Sequence, residues 1–128
     1  MFNRTRSLLV LALFVVAAFA SGCGSQGVSV PSKTVAGAGA QTFSEKCGGC
    51  HTISYAGTHG SKPSGETNSK DRTNGPNFDQ RKETYQSVIT AIRQGGFSGA
   101  IMPGNIVTGD EAKAVAIFLA KYSGRNPD

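Results

Sequence analysis

The chain has 128 residues, enough for one modest domain once any targeting segment is set apart. Thirteen Lys and Arg against eight Asp and Glu give +5, but no basic run or aromatic-basic stripe accompanies the excess, so no nucleic-acid partner is expected. With no Trp and 17 Gly the core must be thin, and a domain this small then needs a staple, a metal or a prosthetic group.

The N-terminus is basic (Arg4, Arg6), has no acidic residue before Glu45, and is apolar without interruption from Leu8 to Ala20. That run is too short to span a bilayer comfortably and suits the apolar stretch of an export signal, so residues 1–22 are read as a signal peptide. "FASGC", Phe19 to Cys23, resembles a bacterial lipobox, although Ala20 stands where Leu is usual. "AFA", Ala18 to Ala20, offers an ordinary signal-peptidase site instead and would yield a soluble extracytoplasmic protein. An odd cysteine in an exported chain needs a reason. Lipidation of Cys23 supplies one, so a membrane-anchored lipoprotein is the favoured expectation. Without residues 1–22, eleven Lys and Arg face eight Asp and Glu, a balance of +3.

Residues 23–37 are small and polar with one proline, and read as a flexible tether. The domain proper is placed at 38–128. "AQTFSEKC" predicts a short helix with Phe43 and Cys47 on one face. After it, residues 52–74 are rich in Gly, Ser, Thr and Asn and predict a long loop, tolerable in a domain that wraps a cofactor. "RKETYQSVITAIRQGG" sets Tyr85, Val88, Ile89 and Ile92 at helical spacing and stops at Gly95–Gly96. "TGDEAKAVAIFLAKYSG" gives the last helix, with Thr108 and Glu111 at capping-box spacing and Gly124 behind it. Ala112, Val115, Ala116, Leu119 and Tyr122 form its apolar face, widened by Ile117 and Phe118. No strand pattern is evident, and the fold class expected is all-α.

The chemistry sits in "CGGCH", Cys47 to His51. Structural zinc wants four ligands, commonly in two pairs, and the candidates Cys47, Cys50, His51 and His59 fall short because adjacent Cys50 and His51 can hardly turn onto one ion. A redox dithiol wants its CxxC at the start of a helix after a strand. Covalent haem uses all the positions: each thiol adds across a vinyl group, and the histidine behind the second cysteine ligates the iron. Gly48 and Gly49 let backbone and porphyrin edge approach. With Met1 lost in the signal, Met102 in "GAIMPGN" is the remaining methionine, stiffened by Pro103, and is the expected second axial ligand. His59 is the weaker alternative.

These residues resemble the class I cytochrome c family over most of 38–128. Gly39, Phe43 and Cys47 repeat that family's G-x3-F-x3-C spacing, and "IFLAKYSG" looks like its C-terminal helix with Phe118 at the aromatic position. The resemblance implies a small fold of three or more helices around one haem c, held through Cys47 and Cys50, with Gly39 and Phe43 packed on Phe118. "GPNF", Gly75 to Phe78, looks like the family's GPxL loop, whose proline carbonyl orients the ligating histidine. That role falls to Pro76. Arg72, Asn74 and Asn77 are candidate partners for the propionates.

Coordination by His51 and Met102 leaves the iron no open position. The function expected is single-electron transfer between redox proteins of an exported respiratory chain, without a small-molecule substrate or enzymatic activity. Two rivals stand beside it. One is a haem enzyme or gas sensor, if the Gly95–Gly99 stretch frees Met102. The other is a fixed electron-relay subunit of a dehydrogenase or oxidase.

Overall fold

The computed structural model describes residues 27–60, 75–97, 101–125 and 127. The expected signal, Cys23, Arg72 and Asn74 lie outside the described residues.

Helix α1 runs Val35–Lys46. It starts where Thr34 turns out of the extended region and its hydroxyl accepts from Gly37 N at 3.0 Å. The same hydroxyl donates to the Pro31 carbonyl at 2.8 Å. This helix begins three residues before the expected domain edge at 38, and Val30 is buried ahead of it. The expected tether over 23–37 is therefore too long. A proline and several small residues imitate linker composition, but from Ser29 onward the chain is hydrogen-bonded to the domain.

Beyond α1, strands β1 (Thr52–Ile53) and β2 (Thr58–His59) pair antiparallel, Thr52 opposite His59 and Ile53 opposite Thr58. A 3-10 turn over Ser54–Ala56 joins them and closes on Gly57 at φ 63°. The Thr58 hydroxyl, turned inward, accepts from Ile53 N at 3.0 Å. Two-residue strands leave no readable alternation, so the start of the expected loop is instead a small folded hairpin.

Helix α2 is Tyr85–Gln94, ending at Gly95 with φ 77°. Thr84 caps it reciprocally with Ser87: the Thr84 hydroxyl accepts from Ser87 N at 3.1 Å, and the Ser87 hydroxyl from Thr84 N at 3.0 Å. Helix α3 is Gly109–Tyr122. Its Thr108 makes no side-chain cap bond, so the box expected with Glu111 does not form. Val88, Ile89 and Ile92 are buried as expected, whereas Tyr85 and Ile117 are largely exposed and leave the apolar faces narrower.

The core forms where α1 crosses α3. A Cβ at Gly39 would overlap the Ala114 carbonyl and lie 3.0 Å from Phe118 Cβ, so only glycine admits this crossing. Phe43 and Phe118, both fully buried, meet edge to face at 5.7 Å. Each such ring removed from water contributes about 1.5–3 kcal/mol. Buried Ser123 ties the layers, its hydroxyl accepting from Glu83 N at 2.8 Å, while Gly124 N donates to the Phe78 carbonyl at 2.7 Å. Among the described residues, three helices and one minimal hairpin make the all-α fold expected.

Candidate functional site

The end of α1 delivers the first cysteine. Cys47 N donates to the Phe43 carbonyl at 2.8 Å. Cys50 N and His51 N both reach the Cys47 carbonyl, at 3.1 and 3.0 Å, so Cys47 to His51 forms one further turn. Both thiols are free, Cys50 exposed and Cys47 half-buried. Burial, with the neighbouring Cys50 thiol second, pushes the Cys47 pKa up to about 11, which leaves it a neutral thiol at pH 7.

His51 is clamped from several sides. Its ring stacks on Phe78 with centroids 5.0 Å apart and planes 16° from parallel, and Phe43 lies tilted at 6.2 Å. Gly75 sits so close beneath that any Cβ there would overlap the imidazole. Gly75 N donates to the Cys50 carbonyl at 2.7 Å, pinning the GPNF segment along the CxxCH turn. Nδ1 then lies 3.2 Å from the Pro76 carbonyl. Assigned as Nδ1–H donating to that oxygen, the ring keeps a lone pair on Nε2. Burial lowers the His51 pKa and the Pro76 bond partly opposes it, favouring the neutral, ligand-competent imidazole.

Met102 comes from the segment between α2 and α3. Around it the backbone is tied to the end of α2: Asn105, at φ 56°, donates its N–H to the Ile92 carbonyl at 2.7 Å. Gly95 and Gly104 allow this approach, since a Cβ on Gly95 would meet the Met102 carbonyl oxygen at 2.7 Å, and one on Gly104 the Arg93 carbonyl at 3.2 Å. Cys47, Cys50, His51, Pro76 and Met102 all line one cleft of about 250 Å³, whose other walls are mainly apolar: Phe43, Val88, Ile92, Ile106 and Leu119. His59 stands on β2 and does not line it. Asn77 closes its own turn instead, its side-chain oxygen accepting from Asp79 N at 2.9 Å.

Polar residues missed in the sequence reading line the cleft as well. Arg81 Nε is 2.6 Å from Glu83 Oε1, and the Ser87 hydroxyl donates to Glu83 Oε2 at 2.7 Å. They straddle a loop and the first turn of α2 with no periodic signature. An Arg two residues from a Glu beside a GPxL-like loop was the available signal.

Among the described residues no group of three or more His, Cys, Asp and Glu converges for a metal. Two thiols, an oriented imidazole and a thioether in an apolar cleft match what a covalently held haem requires. The glycine under the imidazole fits the same purpose.

Fold and site together define a small c-type haem protein. The chain belongs to the cytochrome c family, whose model matches residues 36–123, and the class I group is its place within it. A bound haem c follows from that membership. Among solved structures, the chain is similar to the c-type cytochrome SorU from Sinorhizobium meliloti, at 26% identity and a TM-score of 0.54, covering 73% of this chain and 97% of that one. A search of curated protein sequences gives no match.

Proposed function

We propose that this cytochrome is a monohaem, single-electron carrier whose iron is ligated axially by His51 and Met102. Cys47 and Cys50 form the two thioether bonds. The observation that carries the reading is the meeting of His51 and Met102 in one cleft with both cysteines. When bound, the haem supplies a one-electron couple, and a thioether ligand favours its ferrous form relative to bis-histidine ligation.

The chain's own residues keep that couple simple. Pro76 holds the imidazole in one tautomer. Phe43, Phe78 and Leu119 exclude water from the cleft walls. Arg81, steadied by Glu83, presents guanidinium donors for the carboxylates of the cofactor. The backbone ties at Asn105 hold Met102 in place, which favours a filled sixth position over the labile one that a gas sensor or haem enzyme needs.

In this reading the chain is exported, is anchored by a lipid at Cys23, and exchanges electrons with membrane respiratory complexes. No helix among the described residues is long and apolar enough to cross a membrane. Redox titration of Met102→Ala tests the ligation. The variant should bind carbon monoxide when reduced and have a lower midpoint potential. A potential and spectrum unchanged from the wild type would remove Met102 from the site.

A further inference from the structure

The segment ahead of α1 belongs to the folded domain, and this constrains how the chain can meet a membrane. Ser29 N donates to the Tyr55 carbonyl at 3.0 Å, and the Ser29 hydroxyl reaches the same oxygen at 3.4 Å. Val30 is buried, and Val28 packs against the core. Pro31 lies so close to Gly37 that no Cβ would fit between them. The chain is thus fixed from Ser29 onward. Its point of fixation lies at one end of the molecule, because the Tyr55 ring is 4.8 Å from that of Tyr122, the last residue of α3. Gly109 begins the same helix, and fourteen helical residues set Gly109 and Tyr122 about 20 Å apart.

We propose that the Tyr55–Tyr122 end faces the lipid surface, so that the domain rides with the Gly109 end of α3 turned away from the membrane. This rests on lipidation of Cys23. From Cys23 to the pinned Ser29 are six residue steps, which span at most about 20 Å fully extended and about 13 Å on average if flexible. A domain of this size has a radius of gyration of about 13 Å and so a diameter of about 30 Å. Turned over, the domain would lift Ser29 a full diameter above the membrane, farther than the leash can reach. A tether running to residue 37 would have permitted every orientation.

Charge runs the same way. Lys33 lies four residues from Ser29, Lys121 is in the last turn of α3 with its ammonium over the Tyr122 ring, and Lys82 donates to the Ala120 carbonyl at 2.6 Å. Arg125 follows at the surface, while Asp79 at that end is engaged by Ser54 N and its hydroxyl. At the Gly109 end, Asp110 and Glu111 occupy the first turn of α3, with the Lys113 ammonium 2.9 Å from Asp110 Oδ1 and Glu111 exposed. Cations beside half-buried tyrosines suit an anionic headgroup layer, and carboxylates do not.

The test is hydrogen–deuterium exchange on the full holoprotein bound to phosphatidylcholine vesicles containing phosphatidylglycerol. Two variants accompany it: Cys23→Ser, and an insertion of about fifteen Gly and Ser residues after Ser25, long enough to restore free rotation. The wild type should show slowed exchange at 28–33, 54–59 and 121–125, with 93–96 and 105–111 unchanged from Cys23→Ser in solution. The insertion variant should stay on the vesicles and lose that protection. Vesicle-bound protein with equal or greater slowing at 105–111 overturns the orientation while leaving the anchor intact, and an insertion variant that keeps the pattern overturns the short leash as its cause. Wild type that fails to sediment with vesicles removes the anchor, and the orientation with it.

Discussion

Replacing Gly39 by Ala probes the helix crossing that carries the CxxCH turn. The added methyl would overlap the Ala114 carbonyl and crowd Phe118 Cβ at 3.0 Å. The main obstacle is backbone, so no rotamer change relieves it, and α1 must move away from α3. In an unconstrained helix the exchange would gain about 1 kcal/mol. Overpacking a closed contact costs about 1–3 kcal/mol, and an overlap with backbone belongs at the upper end of that range. Packing therefore outweighs propensity, and the net loss should be about 1–2 kcal/mol. Against a domain stability of about 5–15 kcal/mol the variant still folds. Guanidinium titration of the ferric holoprotein measures this, and the expected result is a lower midpoint with an unchanged slope. Gly27, whose Cβ direction is open and which does not line the cleft, serves as control, and Gly27→Ala should stay within about 0.5 kcal/mol of the wild type. A Gly39→Ala protein that unfolds at or above the wild-type midpoint would refute the close crossing.

Two further substitutions test other parts of the structure. Gly95→Ala forces a Cβ into the left-handed region, at a cost of about 1–2 kcal/mol, and against the Met102 carbonyl. The proposed Met102 ligation should weaken, seen as a smaller far-red ferric band and new carbon monoxide binding, whereas an unaltered band would mean that the tie to α2 does not hold Met102 in place. Thr84→Ala should destabilise the domain by about 1 kcal/mol. Thr108→Ala should cost less, since Thr108 makes no cap bond, and equal losses in thermal unfolding would contradict that difference.

What was legible in the sequence follows from which forces leave a periodic trace. Val88, Ile89 and Ile92 bury one face of α2, and Ala112 to Leu119 one face of α3, so their spacing shows. Cys47, Cys50 and His51 are contiguous because one turn of chain must serve two sulfurs and a ligand, which is why that part of the site was readable. Met102, singled out by elimination, lines the same cleft, and its ligation is the proposal made above. The first turn of α1 was not, because Val35 to Ala38 carry little apolar contrast and closely resemble linker sequence. The cap of α2 was missed for a related reason, since Ser87 stands where Glu or Gln is the usual sign. The buried Val30 strap and the Arg81–Glu83–Ser87 cluster depend on contacts between segments distant in sequence, and no local pattern encodes those.

The account stands most directly on the optical spectrum of the protein produced with haem-maturation machinery, recorded ferric and then dithionite-reduced. Sharp ferrous c-type bands that ignore carbon monoxide, with a weak far-red ferric band that disappears in Met102→Ala, are the result expected for His51 and Met102 on one covalently held haem. Covalent haem whose reduced bands shift with carbon monoxide, and which lacks the far-red band, would contradict the carrier and point to an open sixth position.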